Sequence, residues 1–355
     1  MTKKMIKMLG RRLWAKLKPT VITDLSNTTG LDRLGELNDR IVELETLMAS
    51  MNRSFRIGLD SVQSEIQLDR ELAHKRIFLP NVALANIEAN GPFLPYSTCS
   101  AADFFHPRYG QICEMLRHPH RFHRKLWEWV FIVHHLQISD MLTDGRRGLV
   151  FGVGHERLPS LFASLGATIT ATDAPAHVGV AGGWAQTSQH SQSLEQLRYR
   201  DLVADAVFDQ KVSYQVCDMN NIDKELVGYD FVWSSCCFEH LGSIEAGIQF
   251  VINSVEQTLK IGGIACHTTE YNLSSNDETV DMADTVIYRK QDIESLIQRL
   301  RERGHEVKPF VAAPDSHVLD FYVDTPPYNS EQPHLKLWLG KYITTSVGLV
   351  IKRGK

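Results

Sequence analysis

From residue 147 onward, short apolar runs rich in β-branched and aromatic residues alternate with amphipathic stretches. The runs at 149–156, 167–173, 212–219, 229–237 and 259–270 read as buried strands. Ser243 can cap a helix carrying Ile244, Ile248, Val251, Val255 and Leu259 on one face, which Gly262 and Gly263 would stop. Residues 292–303 repeat the form, with Ile293, Leu296, Ile297 and Leu300 apolar and Gly304 at the end. Strands at 305–310 and 343–352 complete the set, the last hairpinned antiparallel. This rhythm predicts an α/β fold: a seven-stranded, mostly parallel sheet with helices on both faces and ligands at the carboxyl ends of its strands.

Upstream the period changes. Leu34, Leu37, Ile41, Leu44, Met48, Met51 and Phe55 recur at spacings of three and four, with charged residues between them. That is a coiled-coil seam, drifting near Gly58 and continuing less regularly through Leu59, Val62 and Ile66. A narrow stripe held to this period favours self-association over packing on the chain's own sheet. The predicted organisation is therefore a basic segment 1–18, a coiled-coil-like α-helical extension 30–75, a helical region 79–145 and an α/β domain 146–355.

The first strand runs into Gly152-Val-Gly154, and the second ends on Asp173, nineteen residues after Gly154. Glycines there let backbone amides approach a ligand beside a helix N-terminus, and the aspartate sits where it can take both ribose hydroxyls. A nucleoside-containing cofactor follows. A dinucleotide site would carry a third glycine at position 156. Glu156 instead puts a carboxylate where two phosphates would lie, which disfavours NAD and FAD. S-adenosylmethionine has no phosphate and has a cationic amino-acid end.

From about Arg147 to the C-terminus the chain resembles the class I S-adenosylmethionine-dependent methyltransferases, with motifs in the family's order. Val212-Ser-Tyr-Gln-Val-Cys-Asp218-Met219 is similar to the third strand, which implies that Asp218 accepts from the adenine amine while Met219 packs on the ring. Tyr229-Asp-Phe-Val-Trp-Ser-Ser-Cys-Cys237 looks like the fourth strand, and Leu259-Lys-Ile-Gly-Gly the turn before the fifth. The resemblance implies a cofactor set of Gly152, Gly154, Glu156, Asp173, Asp218, Met219 and Ser234. It departs from the family at Val150, where many members carry an acid, and at Glu156, which replaces the last glycine. The segment 122–142, with Leu126, Trp129, Val130, Val133 and Leu136, looks like the cover helix that precedes the first strand in many members. Such covers line substrate pockets, so Asp103 and Arg124 are candidate acceptor contacts.

Composition narrows the partners. A formal charge of −4 over 355 residues offers no nucleic-acid footprint. Cys217, Cys236, Cys237 and Cys266 fall in or beside buried strands without two-residue spacing, which predicts reduced thiols in a cytoplasmic protein. His118, His120, His123, His134 and His135 lack a metal-ligand spacing, and no metal is expected. No stretch is apolar enough to span a bilayer. Residues 1–18, with seven Lys or Arg and no acid, form a basic amphipathic segment. They can lie on the inner face of an anionic membrane, and they read equally as a solvated terminus.

Methyl transfer to a hydroxyl needs an in-line approach and a base. The base must emerge near strands four and five, where Glu239, His240, His267 and Glu270 lie; His240 is the first candidate and His267 the second. Gly182 to His190 form a polar loop after the second strand, a candidate lid. Thr325-Pro-Pro-Tyr328 lies too far downstream to be an amine-methylation motif. These features fit O-methylation of a saccharide or cell-surface glycan precursor by a homo-oligomer. Open beside it are a small-molecule methyltransferase of secondary metabolism, a nicotinamide oxidoreductase and a non-catalytic coiled-coil scaffold.

Overall fold

The computed structural model describes residues 15–16, 33–76, 91–175, 190–329 and 331–355. The chain divides into two units, 1–78 and 79–355. The first contains α1 (Arg33–Arg76), 44 residues long. On it Ile41, Met48, Met51 and Val62 are 50–52 % exposed, so among the described residues this part of the apolar stripe has no cover. Apart from residues 15–16, the basic segment 1–18 lies outside the described residues, as do 176–189, which hold most of the expected loop. Among the described residues no helix is long and apolar enough to cross a membrane.

The second unit opens with α2 (Ala101–Phe105), α3 (Pro107–Met115) and α4 (Arg124–Ile138). The α4 helix starts later than its apolar periodicity predicts because His123 caps it, Nδ1 accepting from the Lys125 amide at 3.1 Å, and it stops at Ile138. Its inner face, Leu126, Trp127, Val130, Phe131, Val133 and Leu136, is buried. There follow β1 (Arg147–Phe151), α5 (Leu158–Ser164), β2 (Thr168–Asp173), α6 (Asp205–Lys211), β3 (Val212–Val216) and β4 (Tyr229–Ser235). The chain continues through α7 (Ile244–Asn253), β5 (Leu259–Asn272), α8 (Lys290–Glu302), β6 (Lys336–Leu339) and β7 (Tyr342–Lys352). Ser243 caps α7 as expected, its Oγ accepting from the Ala246 amide at 3.1 Å.

The strand order is β3-β2-β1-β4-β5-β7-β6. Strands β1 to β5 run parallel, β7 runs antiparallel to β5, and β6 pairs back onto β7. The seven-stranded, mostly parallel sheet is therefore present, extended by two-residue strands at Glu306–Val307 and Val323–Asp324. The strand expected over 305–310 shrinks to Glu306–Val307, since Pro309 has no N–H for a ladder. Lys336–Leu339, a segment not assigned from the sequence, takes the edge position instead.

Alternation sorts side chains to two cores. Leu149, Phe151 and Val232 face the layer of α7 and α8, whereas Val150, Phe231 and Trp233 face the layer of α4 and α5. A Cβ on Gly348 of β7 would stand 2.5 Å from the Phe131 ring. Only glycine lets α4 lie this close to the sheet, and α4 forms one wall of the site.

Candidate active site

The carboxyl ends of β1, β2 and β4 open into a cleft of about 320 Å³. Gly152 and Gly154 line it in left-handed conformations, φ 60° and 51°. A Cβ on Gly152 would lie 2.8 Å from Cys237 Cβ and 3.7 Å from Met219 Sδ. The turn is thus wedged between the exits of β3 and β4. Asp218 is exposed on the cleft, and Met219, 8 % exposed, borders it beside the turn.

Asp173 lines the cleft as expected, but most of its hydrogen-bonding capacity is already engaged. Its Oδ2 accepts from the amides of Gly154 and Ser191, both at 2.9 Å, and Oδ1 from the Ala174 amide at 2.8 Å. A carboxylate offers about four acceptor positions. Asp173 is therefore first a clamp joining the glycine turn to the chain around β2, with about one acceptor position left open. Burial raises its pKa against the pull of those amides.

Glu156 also borders the cleft. It is 6 % exposed and accepts from Trp233 Nε1 at 3.1 Å. Burial pushes its carboxyl up to about 8, against hydrogen bonds from Trp233 and Ser235. At neutral pH this position holds a largely uncharged acid, able to ionise when a cation arrives.

The four expected catalytic residues separate. His240, in the single turn Phe238–His240 after β4, lines the cleft with its side chain 21 % exposed. Its Nδ1 donates to the Asp284 carbonyl at 2.8 Å, and its Nε2 lies 3.8 Å from Glu239 Oε1. His267 is a different case. It is fully buried, Nδ1 lies 2.7 Å from Ser234 Oγ and Nε2 3.0 Å from Ser254 Oγ, and burial drives its pKa down to about 3. Both ring nitrogens are engaged away from the cleft, so His267 is a neutral core residue and not a base. Ser234, its partner, is likewise fully buried and is not a cofactor contact.

Glu239 and Glu270 lie beneath the cleft rather than on its rim. Arg124, 7 % exposed, donates from Nη2 to Glu270 Oε2 at 2.7 Å and from Nη1 to Glu128 Oε1 at 3.2 Å and Ser346 Oγ at 3.1 Å. Glu128 Oε2 accepts from Ser235 and Thr268 at 3.1 and 3.0 Å. Glu239 accepts from the Cys236 thiol at 2.6 Å and from Thr269 at 2.9 Å. Burial works to raise the Glu239 pKa, but the charges of His240 and Lys125 and the thiol bond outweigh it and hold the carboxylate ionised. Donor atoms of Cys236, Glu239 and Glu270 fall within 4.8 Å of one another. Arg124 supplies the cation that this cluster needs, and the thiol beside two carboxylates is held protonated. The network joins α4 to β4, β5 and β7 and forms the floor of the site. Asp103, the other acceptor candidate, is buried and bonded to Trp127 Nε1 at 2.8 Å, so neither it nor Arg124 reaches the cleft.

Lys125 and Trp129 of α4 line the cleft instead, with Ser235, Cys236 and Leu241 from the exit of β4. Cys236 adopts φ 49°, rare for a residue with a Cβ, and marks where the backbone is bent to turn groups toward the cleft. Of the two basic residues that start the cover helix, Lys125 borders the cleft and Arg124 does not.

No family model matches the chain, and no curated protein matches it. Solved structures similar to it include a methyltransferase from Clostridium acetobutylicum described as S-adenosylmethionine-dependent, at 12 % identity over 70 % of this chain and 98 % of that one, TM-score 0.36. Another is an S-adenosylmethionine-dependent methyltransferase from Mesorhizobium loti, at 11 % identity over 62 % and 96 %, TM-score 0.38. A third is the 1,6-didemethyltoxoflavin-N1-methyltransferase of Burkholderia thailandensis, solved with its substrate and S-adenosylhomocysteine, at 14 % identity over 64 % and 76 %, TM-score 0.35. The parallel β3-β2-β1-β4-β5 sheet with β7 antiparallel beside it, and the glycine turn at the exit of β1, give residues 147–355 the fold of the class I S-adenosylmethionine-dependent methyltransferases.

Proposed function

We propose that the protein is an S-adenosylmethionine-dependent O-methyltransferase whose acceptor is a saccharide hydroxyl. The observation that carries the reading is the convergence of the glycine turn, Asp218, Met219 and His240 on one cleft. The residues present fit the cofactor. The turn leaves no room for a side chain against Cys237, Asp218 offers an exposed carboxylate to the adenine amine, and Glu156 can ionise beside a cationic amino-acid end. When bound, S-adenosylmethionine supplies an electrophilic methyl on a sulfonium.

The chain's own part is positioning and proton transfer. His240 Nε2 takes the hydroxyl proton as the acceptor oxygen attacks in line. The Asp284 carbonyl holds the ring tautomer, and the Glu239 carboxylate, 3.8 Å away, stabilises the imidazolium that forms. Trp129 lines the cleft and supplies an aromatic surface for a sugar ring. The exposed stripe of α1 supports self-association of the chain. Calorimetry with S-adenosylmethionine and its demethylated product tests the cofactor; absence of heat with either overturns the reading. Transfer of labelled methyl to mono- and disaccharides, read by mass spectrometry, tests the acceptor. Labelling of phenolic small molecules in place of sugars would move the substrate to the secondary-metabolite class.

A further inference from the structure

We propose that Lys125 is an anion receptor in the cleft, the group against which a ligand's carboxylate or phosphate lodges. Cations in the first turn of a helix oppose its dipole. The α4 helix nevertheless begins Arg124-Lys125 with no acid in that turn. Arg124 is balanced by Glu128 and Glu270. Lys125 feels the Glu128 and Glu239 charges at a distance, but among the described residues no carboxylate lies within 4.0 Å of its ammonium. The nearby acids are committed elsewhere, Glu128 to Arg124, Ser235, Thr268 and Ser346, and Glu239 to Cys236 and Thr269. The side chain is half-buried and borders the cleft together with Trp129, one turn further along α4. Glu128 and Glu239 act on this ammonium only through space, and an anion arriving in direct contact offsets more of the cost of withdrawing it from water.

Two sources can supply this chemistry: the carboxylate at the amino-acid end of the cofactor, or an acidic group on the acceptor. The first rests on the cofactor reading above; the second does not. The test uses full-length protein, wild-type and with Lys125→Met or Lys125→Arg, the variants first matched for melting temperature. Calorimetry is run with S-adenosylhomocysteine, with 5′-methylthioadenosine, which lacks the amino-acid end, and with inorganic phosphate added to the protein before and after loading with S-adenosylhomocysteine.

A loss of about tenfold or more in affinity for S-adenosylhomocysteine, with methylthioadenosine unchanged and Lys125→Arg restoring most of it, assigns the anion to the cofactor. If the nucleosides are unaffected and Lys125→Met alone abolishes phosphate binding, the anion belongs to the acceptor. Unchanged affinity for all three probes in Lys125→Met overturns the proposal. Failure of wild-type protein to bind either nucleoside sinks the cofactor reading, while the phosphate arm still decides Lys125.

Discussion

At the scale of single residues, the two histidines, His240 after β4 and His267 within β5, should separate cleanly under mutation. His240 reaches the cleft and is partly exposed, so His240→Ala should lower turnover by about 10²-fold with little change in melting temperature. His267→Ala should do the reverse. It leaves the hydroxyls of Ser234 and Ser254 without their shared partner and opens a buried void, a cost of about 2–5 kcal/mol. Turnover per folded molecule should persist. Thermal melts paired with single-turnover assays read both, and a His267 variant that is stable but inactive would restore it as the base.

Glu156 makes a second prediction, about pH. Its pKa rises from an ordinary 4.5 to about 8 on folding, so its contribution to stability is complete below pH 4.5 and lost as pH climbs through 8. Apo protein should therefore melt lower at pH 9 than at pH 6. Glu156→Gln still accepts from Trp233 and cannot ionise, so the loss should shrink by several degrees, at about 2–4 °C per kcal/mol. An equal drop in both proteins would mean that the carboxyl is solvated and ionised throughout.

Among elements, α1 carries the clearest test. Its exposed Ile41, Met48, Met51 and Phe55 follow a 3–4 spacing, and a seam of this kind is stable only when paired. Met48→Glu with Phe55→Glu should reduce the mass of the full chain to that of a monomer by light scattering, with the melt of the α/β unit unchanged. A wild-type mass already monomeric would remove the coiled coil. The strands and their order were legible in the sequence because the signals are local: alternation sorts Leu149 and Val150 to opposite faces, and Gly152 must follow β1 for the turn to form. The floor of the site was not legible. Arg124, Glu128, Glu239 and Glu270 come together from α4, β5 and the turn after β4, and only the finished fold shows that Glu270 neutralises a buried arginine while Glu239 is bonded to Cys236 and Thr269. Reading residue types near a strand end locates a site; it does not tell which side chains face into it.

For the whole molecule, the decisive question is whether residues 79–355 hold the fold and the cofactor site by themselves. Every buried residue of the two hydrophobic cores lies between Leu94 and Ile351, and every cleft residue between Lys125 and Leu241. Among the described residues, the two cores and the cleft are thus built from 79–355. The fragment should melt cooperatively. S-adenosylhomocysteine at 100 times its dissociation constant stabilises a protein that binds it only when folded by about 2.7 kcal/mol, which corresponds to about 5–10 °C for a chain of this size. Fragment and full chain should show the same shift, while only the full chain self-associates. A fragment that folds yet loses the shift would place part of the cofactor site in the N-terminal unit. One that melts without cooperativity would show that the two cores depend on α1 for stability.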